Sequence, residues 1–159
     1  MSLAEILTQA MQLEATGREF YLQAATLPTD EATVAMFKQL AEDERAHYGY
    51  LERQLAAVQC GEDVCAIPEL GPVAPLDLRD PIFPAGVTAL ETLGQPFSLE
   101  EALLFSLGIE EKSYKLYRGY ADTVAEAEAR QLFLQLASVE LKHFEILVQR
   151  YESFYPYPH

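Results

Sequence analysis

The chain carries one pattern of charged residues twice, at a fixed spacing of 96 residues. Glu14, Glu44 and His47 recur as Glu110, Glu140 and His143. The same spacing relates further identical pairs: Ser2/Ser98, Leu3/Leu99, Glu5/Glu101, Leu7/Leu103, Tyr21/Tyr117, Phe37/Phe133, Gln39/Gln135, Leu40/Leu136, Ala41/Ala137 and Leu51/Leu147. An internal repeat indicates that one structural unit occurs twice. Here the repeated unit is predicted to be a pair of helices.

Size and charge restrict the fold and the partners. With 159 residues, half of them apolar, the chain is predicted to form a single all-α domain over residues 1–159. A net charge of −14 disfavours nucleic acid and anionic membranes as partners, since both attract basic surfaces. Most of this charge is expected to lie on the solvated surface.

Features of localisation point to the cytoplasm. The N-terminus lacks a basic region followed by an apolar one, so no signal peptide is expected, and the apolar runs are too short to span a bilayer. Cys60 and Cys65 are predicted to be two reduced thiols in a loop, with a mutual disulfide as the alternative. Two cysteines are too few for a four-thiolate metal site.

Apolar periodicity and capping signals predict helix pairs over residues 2–58 and 98–153. Helix 1 is expected from about Leu3 to Ala25, and a Pro-containing break precedes helix 2, which Thr29 or Asp30 should cap. Capping boxes, in which a Ser or Thr and a Glu three residues later bond each other's backbone amides, are predicted at Ser2/Glu5, Ser98/Glu101 and Thr123/Glu126, the last opening helix 4.

A long crossover, residues 59–97, is predicted between the pairs, and a short tail follows at 154–159. From about residue 61 to 96 the crossover is rich in Pro and Gly, which indicates an irregular path with a short helical turn near Val87 to Thr92. It must cross the bundle from end to end, because helices 2 and 3 belong to matching halves. Its apolar residues are expected to pack on the bundle: Val73, Leu76, Ile82, Phe83 and Leu90.

The repeated charged residues predict a centre for two metal ions. Residues three apart on a helix share a face, so Glu44 with His47, and Glu140 with His143, can each bind one ion. Glu14 and Glu110 then complete or bridge the pair. Oxygen and imidazole ligands suit iron or manganese, with zinc as a further candidate. A single Glu-x-x-His is usually a pair of surface residues. Here each of the two copies follows, 30 residues later, a Glu on the apolar stripe of a helix, and a surface location does not explain that coincidence.

Two further sets of repeated positions surround the predicted ligands. Tyr21 and Tyr117 lie two turns beyond Glu14 and Glu110, where each phenol either hydrogen-bonds a carboxylate of the facing helix or is an ordinary core aromatic. Small residues flank the two glutamates on their own faces and either leave room for ions or allow close helix packing: Ala10, Gly17, Ser106 and Ser113.

These residues, with the stretches EATGREFYLQAA from Glu14 and ERAHYGYL from Glu44, resemble the ferritin-like di-iron superfamily and most closely its rubrerythrin branch. The resemblance covers all four helices and implies an antiparallel four-helix bundle with a bridged di-metal centre. The ligand set of four Glu and two His is closer to that of bacterioferritin, and Ser113 stands where rubrerythrins have a further Glu.

The resemblance implies a cytoplasmic di-iron oxidoreductase that reacts with peroxide or dioxygen, a chemistry associated with oxidative stress. No four-cysteine rubredoxin segment is present, so an external electron donor, a rubredoxin or a flavoprotein, is expected. A homodimer is the default assembly. The alternatives are a ferroxidase or iron-handling protein, a non-catalytic metal-binding protein, and a helical interaction module with a relic site.

Overall fold

The computed structural model describes residues 1–73 and 97–156, and within them it contains four long helices. These are α1 (Leu3–Ala24), α2 (Glu31–Gln59), α3 (Leu99–Thr123) and α4 (Ala127–Phe154), with a 3₁₀ turn at Pro68–Leu70. The predicted all-α class is confirmed. Helices α3 and α4 begin 96 residues after α1 and α2, so the sequence repeat is a repeat of structure.

Three of the four helix starts have the predicted capping residue. Ser2 and Ser98 each accept a hydrogen bond from the backbone of the Glu three residues later, and that Glu side chain bonds back. Asp30, one of the two candidates, caps α2 by accepting from the Thr33 amide at 3.0 Å. Each cap satisfies amides that the first helical turn leaves without a partner.

The predicted capping box at Thr123 and Glu126 is wrong. Thr123 is the last residue of α3, and its hydroxyl donates to the Gly119 carbonyl one turn back at 2.8 Å. Glu126 is itself the N-cap of α4 and makes no side-chain capping bond. The motif failed because it cannot show whether a threonine ends one helix or opens the next.

Two hydrophobic clusters fill the two ends of the bundle. One joins the first half of α1 and α4 to the second half of α2 and α3, with Leu7, Leu51, Tyr117 and Phe133 among its members. The other joins the remaining halves and contains the counterparts Leu103, Leu147, Tyr21 and Phe37. In each main contacting pair (α1–α2, α3–α4, α1–α3 and α2–α4), the first half of one helix meets the second half of the other, so these neighbours are antiparallel. An internal two-fold relation exchanges the clusters and leaves a layer between them.

The start of the crossover packs on one end of the bundle. Residues 64–71, termed the strap, bury Val64, Ile67 and Leu70 in the first cluster. Cys60 and Cys65 are free, exposed thiols, as predicted. The predicted turn near Val87 to Thr92 and the packing of Leu76, Ile82, Phe83 and Leu90 fall outside the described residues. Within the described residues, no helix is long and apolar enough to cross a membrane.

Candidate metal centre

All six predicted ligand residues lie in the layer between the two hydrophobic clusters. Each is at most 4% exposed to solvent, although all are charged or titratable residue types: Glu14, Glu44, His47, Glu110, Glu140 and His143. Every helix contributes at least one of them. Burying so many carboxylates is costly unless they are neutralised, so their placement requires compensation by protons or by cations.

The ligand atoms form two overlapping groups. One group contains Glu14, Glu44, His47 and Glu140, and the other contains Glu44, Glu110, Glu140 and His143. Within each group the atoms lie within 4.8 Å of one another. Glu44 and Glu140 belong to both groups, whereas each remaining residue belongs to one. This geometry favours Glu44 and Glu140 as bridging ligands, with Glu14 and Glu110 completing one position each.

The individual distances support this arrangement. The two oxygens of Glu140 face different histidines: Oε1 lies 3.4 Å from Nδ1 of His47, and Oε2 lies 3.5 Å from Nδ1 of His143. Nδ1 of His47 is also 3.3 Å from Glu14 Oε2, and Nδ1 of His143 is 3.5 Å from Glu110 Oε1. Ligands bound to one ion at about 2.1 Å are separated by roughly 3–3.5 Å, so these spacings suit metal coordination.

Unpaired polar atoms provide a test of whether the residues fit a metal. Among the described residues, eight buried side-chain nitrogen or oxygen atoms lack a hydrogen-bond partner, and seven of them belong to the six predicted ligands. These seven include both oxygens of Glu140 and Nδ1 of each histidine. Buried polar atoms are otherwise nearly always paired. The donor set therefore fits two divalent cations, whose charge would balance the four carboxylates.

Two buried tyrosines hold the terminal glutamates from across the bundle. The Tyr21 hydroxyl donates to Glu110 Oε1 at 2.6 Å, and the Tyr117 hydroxyl donates to Glu14 Oε1 at 2.5 Å. Of the two interpretations of these tyrosines from the sequence, the structure shows the hydrogen bond to a carboxylate of the facing helix. Burial first, and then the neighbouring carboxylates, raise the pKa of both phenols well above the ordinary value, so they stay protonated donors.

Asp43 is a contact of the site that the sequence analysis missed. Its Oδ2 lies 3.0 Å from Nε2 of His143, and its Oδ1 accepts from Gln39 at 2.9 Å. A carboxylate on Nε2 keeps the proton there and leaves Nδ1 free to bind a metal. The symmetry-related position is Val139, which cannot accept a hydrogen bond. The two ligand groups therefore differ in how their histidines are held.

Without a metal, the carboxylates and imidazoles share protons. Burial, together with the nearby Glu140 carboxylate, raises the pKa of Glu110 to about 8. Burial alone would lower the pKa of His47, but Glu14 and Glu140 outweigh it and raise it to about 10. The pKa of Glu140 is lowered despite burial and the nearby Glu14, because the adjacent Glu110 and the two imidazoles favour its ionised form. Metal binding must therefore displace protons.

One of the small residues beside the glutamates, Gly17, lies against a predicted ligand. A methyl group added at Gly17 would touch the Glu44 side chain at 3.6–3.8 Å, which is ordinary van der Waals contact. The counterpart Ser113 is 7% exposed, and Ser106 donates to the Ala102 carbonyl of its own helix. Gly17 thus keeps the space beside one bridging carboxylate free of side-chain atoms.

Comparison with known proteins agrees with this geometry. The Ferritin-like domain family matches residues 2–150. Among solved structures, a hypothetical protein from Pyrococcus furiosus is 26% identical, with a TM-score of 0.68, over 96% of this chain and 89% of the other. No curated protein matches the sequence. Because the family match spans nearly the whole chain and includes all six predicted ligand positions, the protein belongs to the ferritin-like domain family.

Proposed function

We propose that the protein is a di-iron oxidoreductase of rubrerythrin-like type that reduces peroxide or dioxygen in the cytoplasm. The observation that carries the proposal is the sharing of Glu44 and Glu140 by two ligand groups. Shared carboxylates hold two ions close enough to act together, as paired-metal sites require. Bound as a pair, two ferrous ions would supply the two electrons that, with two protons, reduce one hydrogen peroxide to two water molecules.

Residues around the centre position its carboxylates and exclude water from it. Tyr21 and Tyr117 hold Glu110 and Glu14 in place. Both oxygens of Glu140 lack a hydrogen-bond partner, so this carboxylate would be the freer one to adjust to bound metals. Aromatic pairs close both ends of the layer, with Tyr21 stacked on Phe37 and Tyr117 on Phe133 at ring separations of 6.3 Å. These rings exclude water, which strengthens the electrostatic interactions inside.

Each reduction of peroxide or dioxygen would consume electrons that a donor has to replace. The two cysteines are single exposed thiols and cannot form a four-thiolate iron site. The proposal therefore includes an external donor, a rubredoxin or a flavoprotein, and a homodimer as the working assembly. The alternative is a ferroxidase, in which Fe(II) is itself the electron source. It would use the same ligands, and comparing the rates of oxidation by peroxide and by air distinguishes it from the peroxidase.

The test is anaerobic titration of metal-free protein with Fe(II), followed by addition of peroxide or, separately, air. We expect two iron ions per chain and fast growth of ferric absorption. Both should be lost in the double variant Glu44→Ala/Glu140→Ala and kept in Glu145→Ala, which removes an exposed glutamate from α4.

The oxidant distinguishes the candidate activities. Faster oxidation by peroxide supports the peroxidase, and faster oxidation by air supports a ferroxidase or oxidase. Stable Fe(II) that neither oxidant converts would indicate a non-catalytic metal-binding protein. Iron uptake that is absent, or indifferent to the double substitution, would refute the di-iron centre.

A further inference from the structure

A groove between α2 and α4 leads from the surface to one end of the metal centre. It has a volume of about 440 Å³ and is termed the open groove. Its walls are formed by nine residues: Met36, Gln39, Leu40, Asp43, His143, Ile146, Gln149, Arg150 and Ser153. The imidazole of His143 forms its inner wall, and Nδ1 of the same ring faces the carboxylates. His143 therefore contacts both the groove and the ligand atoms.

The internal two-fold relation predicts an equivalent groove at His47, and there the strap fills it. Gln135, the counterpart of Gln39, holds the strap backbone with three hydrogen bonds. It accepts from the Ile67 amide at 2.9 Å and donates to the carbonyls of Ile67 and Gly71 at 2.9 and 3.0 Å. A side chain that bonds both the amide and the carbonyl of one residue fixes that residue firmly against the helix.

A second glutamine and the apolar residues of the strap complete this seal. Gln54, the counterpart of Arg150, accepts from the Cys65 amide at 3.0 Å. Val64, Ile67 and Leu70 are at most 7% exposed and belong to the same cluster as Leu132 and Leu136, which are fully buried. Leu132 and Leu136 are the counterparts of Met36 and Leu40. Five of the nine residues at the matching positions are buried, compared with two at the open groove. The five are His47, Gln54, Leu132, Gln135 and Leu136.

At the open groove, the counterparts of Gln135 and Gln54 bond other residues. Gln39 is exposed and donates to Asp43 instead of to a strap, and Arg150 lies 3.9 Å from Asp30. Among residues 1–73 and 97–156, no segment occupies this groove. Asp43 lines it with its side chain 34% exposed, so a carboxylate is presented to solvent beside His143.

We infer that divalent cations reach the centre from one side, through the open groove past Asp43 and His143. The position held by Glu110 and His143 is then the outer one, and the position held by Glu14 and His47 is the inner one. The inference rests on the proposed metal pair but not on its redox chemistry. It follows that the two ions load and leave in order, because the inner ion can exchange only after the outer position is vacant.

Narrowing the groove tests the route. Ile146 lines it and is 47% exposed, so Ile146→Trp adds bulk at its mouth without burying new atoms in the core. Leu22→Trp on α1 is the matched control, since Leu22 is also 47% exposed and does not line the groove. The probe is Co(II), whose visible absorption reports loading, with uptake followed by stopped flow and release followed after addition of a chelator.

We expect Ile146→Trp to slow uptake and release by at least about tenfold, equivalent to a barrier higher by about 1.4 kcal/mol, with stoichiometry and affinity unchanged. Leu22→Trp should behave like the unsubstituted protein. Two Co(II) ions bound at unchanged rates in Ile146→Trp would overturn the one-sided route while leaving the metal centre intact. Failure of Co(II) to bind the unsubstituted protein would instead refute the proposed function itself.

A second variant tests the seal. Gln135→Leu keeps a similar volume but removes the three bonds that hold the strap. Release from the unsubstituted protein should occur in two successive phases, and in Gln135→Leu the slower phase should accelerate as the inner ion gains its own route. A slow phase unaffected by Gln135→Leu, in protein whose helical circular dichroism is retained, would contradict sealing by the strap.

Discussion

Replacing Glu110 with glutamine should remove one source of instability that the metal-free protein acquires as the pH rises. Glu110 is fully buried, and its pKa is raised from 4.5 to about 8, chiefly by burial and then by Glu140. Between these two values the folded protein holds a proton that the unfolded chain has lost. The contribution of Glu110 to stability therefore falls as the pH rises through this window and levels off above pH 8. Glutamine has nearly the shape of the protonated carboxyl and cannot ionise.

The magnitude follows from the size of the shift. One pKa unit corresponds to about 1.4 kcal/mol, so a rise from 4.5 to about 8 amounts to an advantage on the order of 5 kcal/mol for Glu110→Gln above pH 8. At pH 7 the advantage is on the order of 3 kcal/mol, and near pH 4.5 it vanishes. For a chain of this size, 1 kcal/mol shifts the melting temperature by roughly 2–4 °C. The expected difference above pH 8 is thus on the order of 10–20 °C.

The assay is thermal unfolding of metal-free protein from pH 5 to pH 9, followed by circular dichroism. The curves of melting temperature against pH should coincide near pH 5 and separate steadily as the pH rises. Glu19→Gln, which changes an exposed glutamate of α1, is the control and should follow the unsubstituted protein. A difference that stays constant from pH 5 to pH 9 would refute the reasoning, since it would show that ionisation of Glu110 is not the cause.

Three other predictions concern the partners of the site. Tyr117→Phe removes a hydrogen bond to a buried carboxylate and should lower the free energy of unfolding, measured in urea, by about 1.5–3 kcal/mol. The control Tyr120→Phe removes a bond to a neutral amide and should lower it by only about 0.5–1.5 kcal/mol. Equal losses in the two variants would contradict this prediction. Asp43→Asn should lower the affinity for one of the two metal ions by about 10–100-fold, measured by calorimetry, because the His143 ring loses its carboxylate partner. An equal loss of affinity for both ions would count against this prediction. Metal loading near pH 7 should release protons to an indicator dye, because the pKa of His47 in the metal-free protein is about 10; metal uptake without proton release would argue against this.

Most of the helical framework was predictable from local pattern. Apolar periodicity and the Ser2 and Ser98 capping boxes placed three helix starts, because both signals depend on residues within one turn of each other. The fourth start was misplaced at Thr123 for a physical reason. A threonine hydroxyl serves equally well as a helix cap and as a donor to its own helix, and only the path of the chain decides between them.

The site was predictable in its members but not in its connections. The repeat identified the six residues that the structure brings together, although their binding of metal stays a prediction. It did not reveal that Glu44 and Glu140 are the shared pair. It also missed Asp43, which contacts His143, 100 residues away along the chain. Nothing in local sequence distinguishes Asp43 from the exposed Glu42 beside it.

The sequence by itself determined the elements and the duplication: four amphipathic helices, their spacing of 96 residues, and a carboxylate or imidazole at six matched positions. Those properties depend on periodicity, which is local. Only the tertiary structure decided which carboxylates face both histidines, and which end of the layer the strap covers. Such choices depend on contacts between distant segments, and a sequence repeat predicts the two halves as equals. The protein departs from that equality at Asp43 and at the strap, where the halves meet different neighbours.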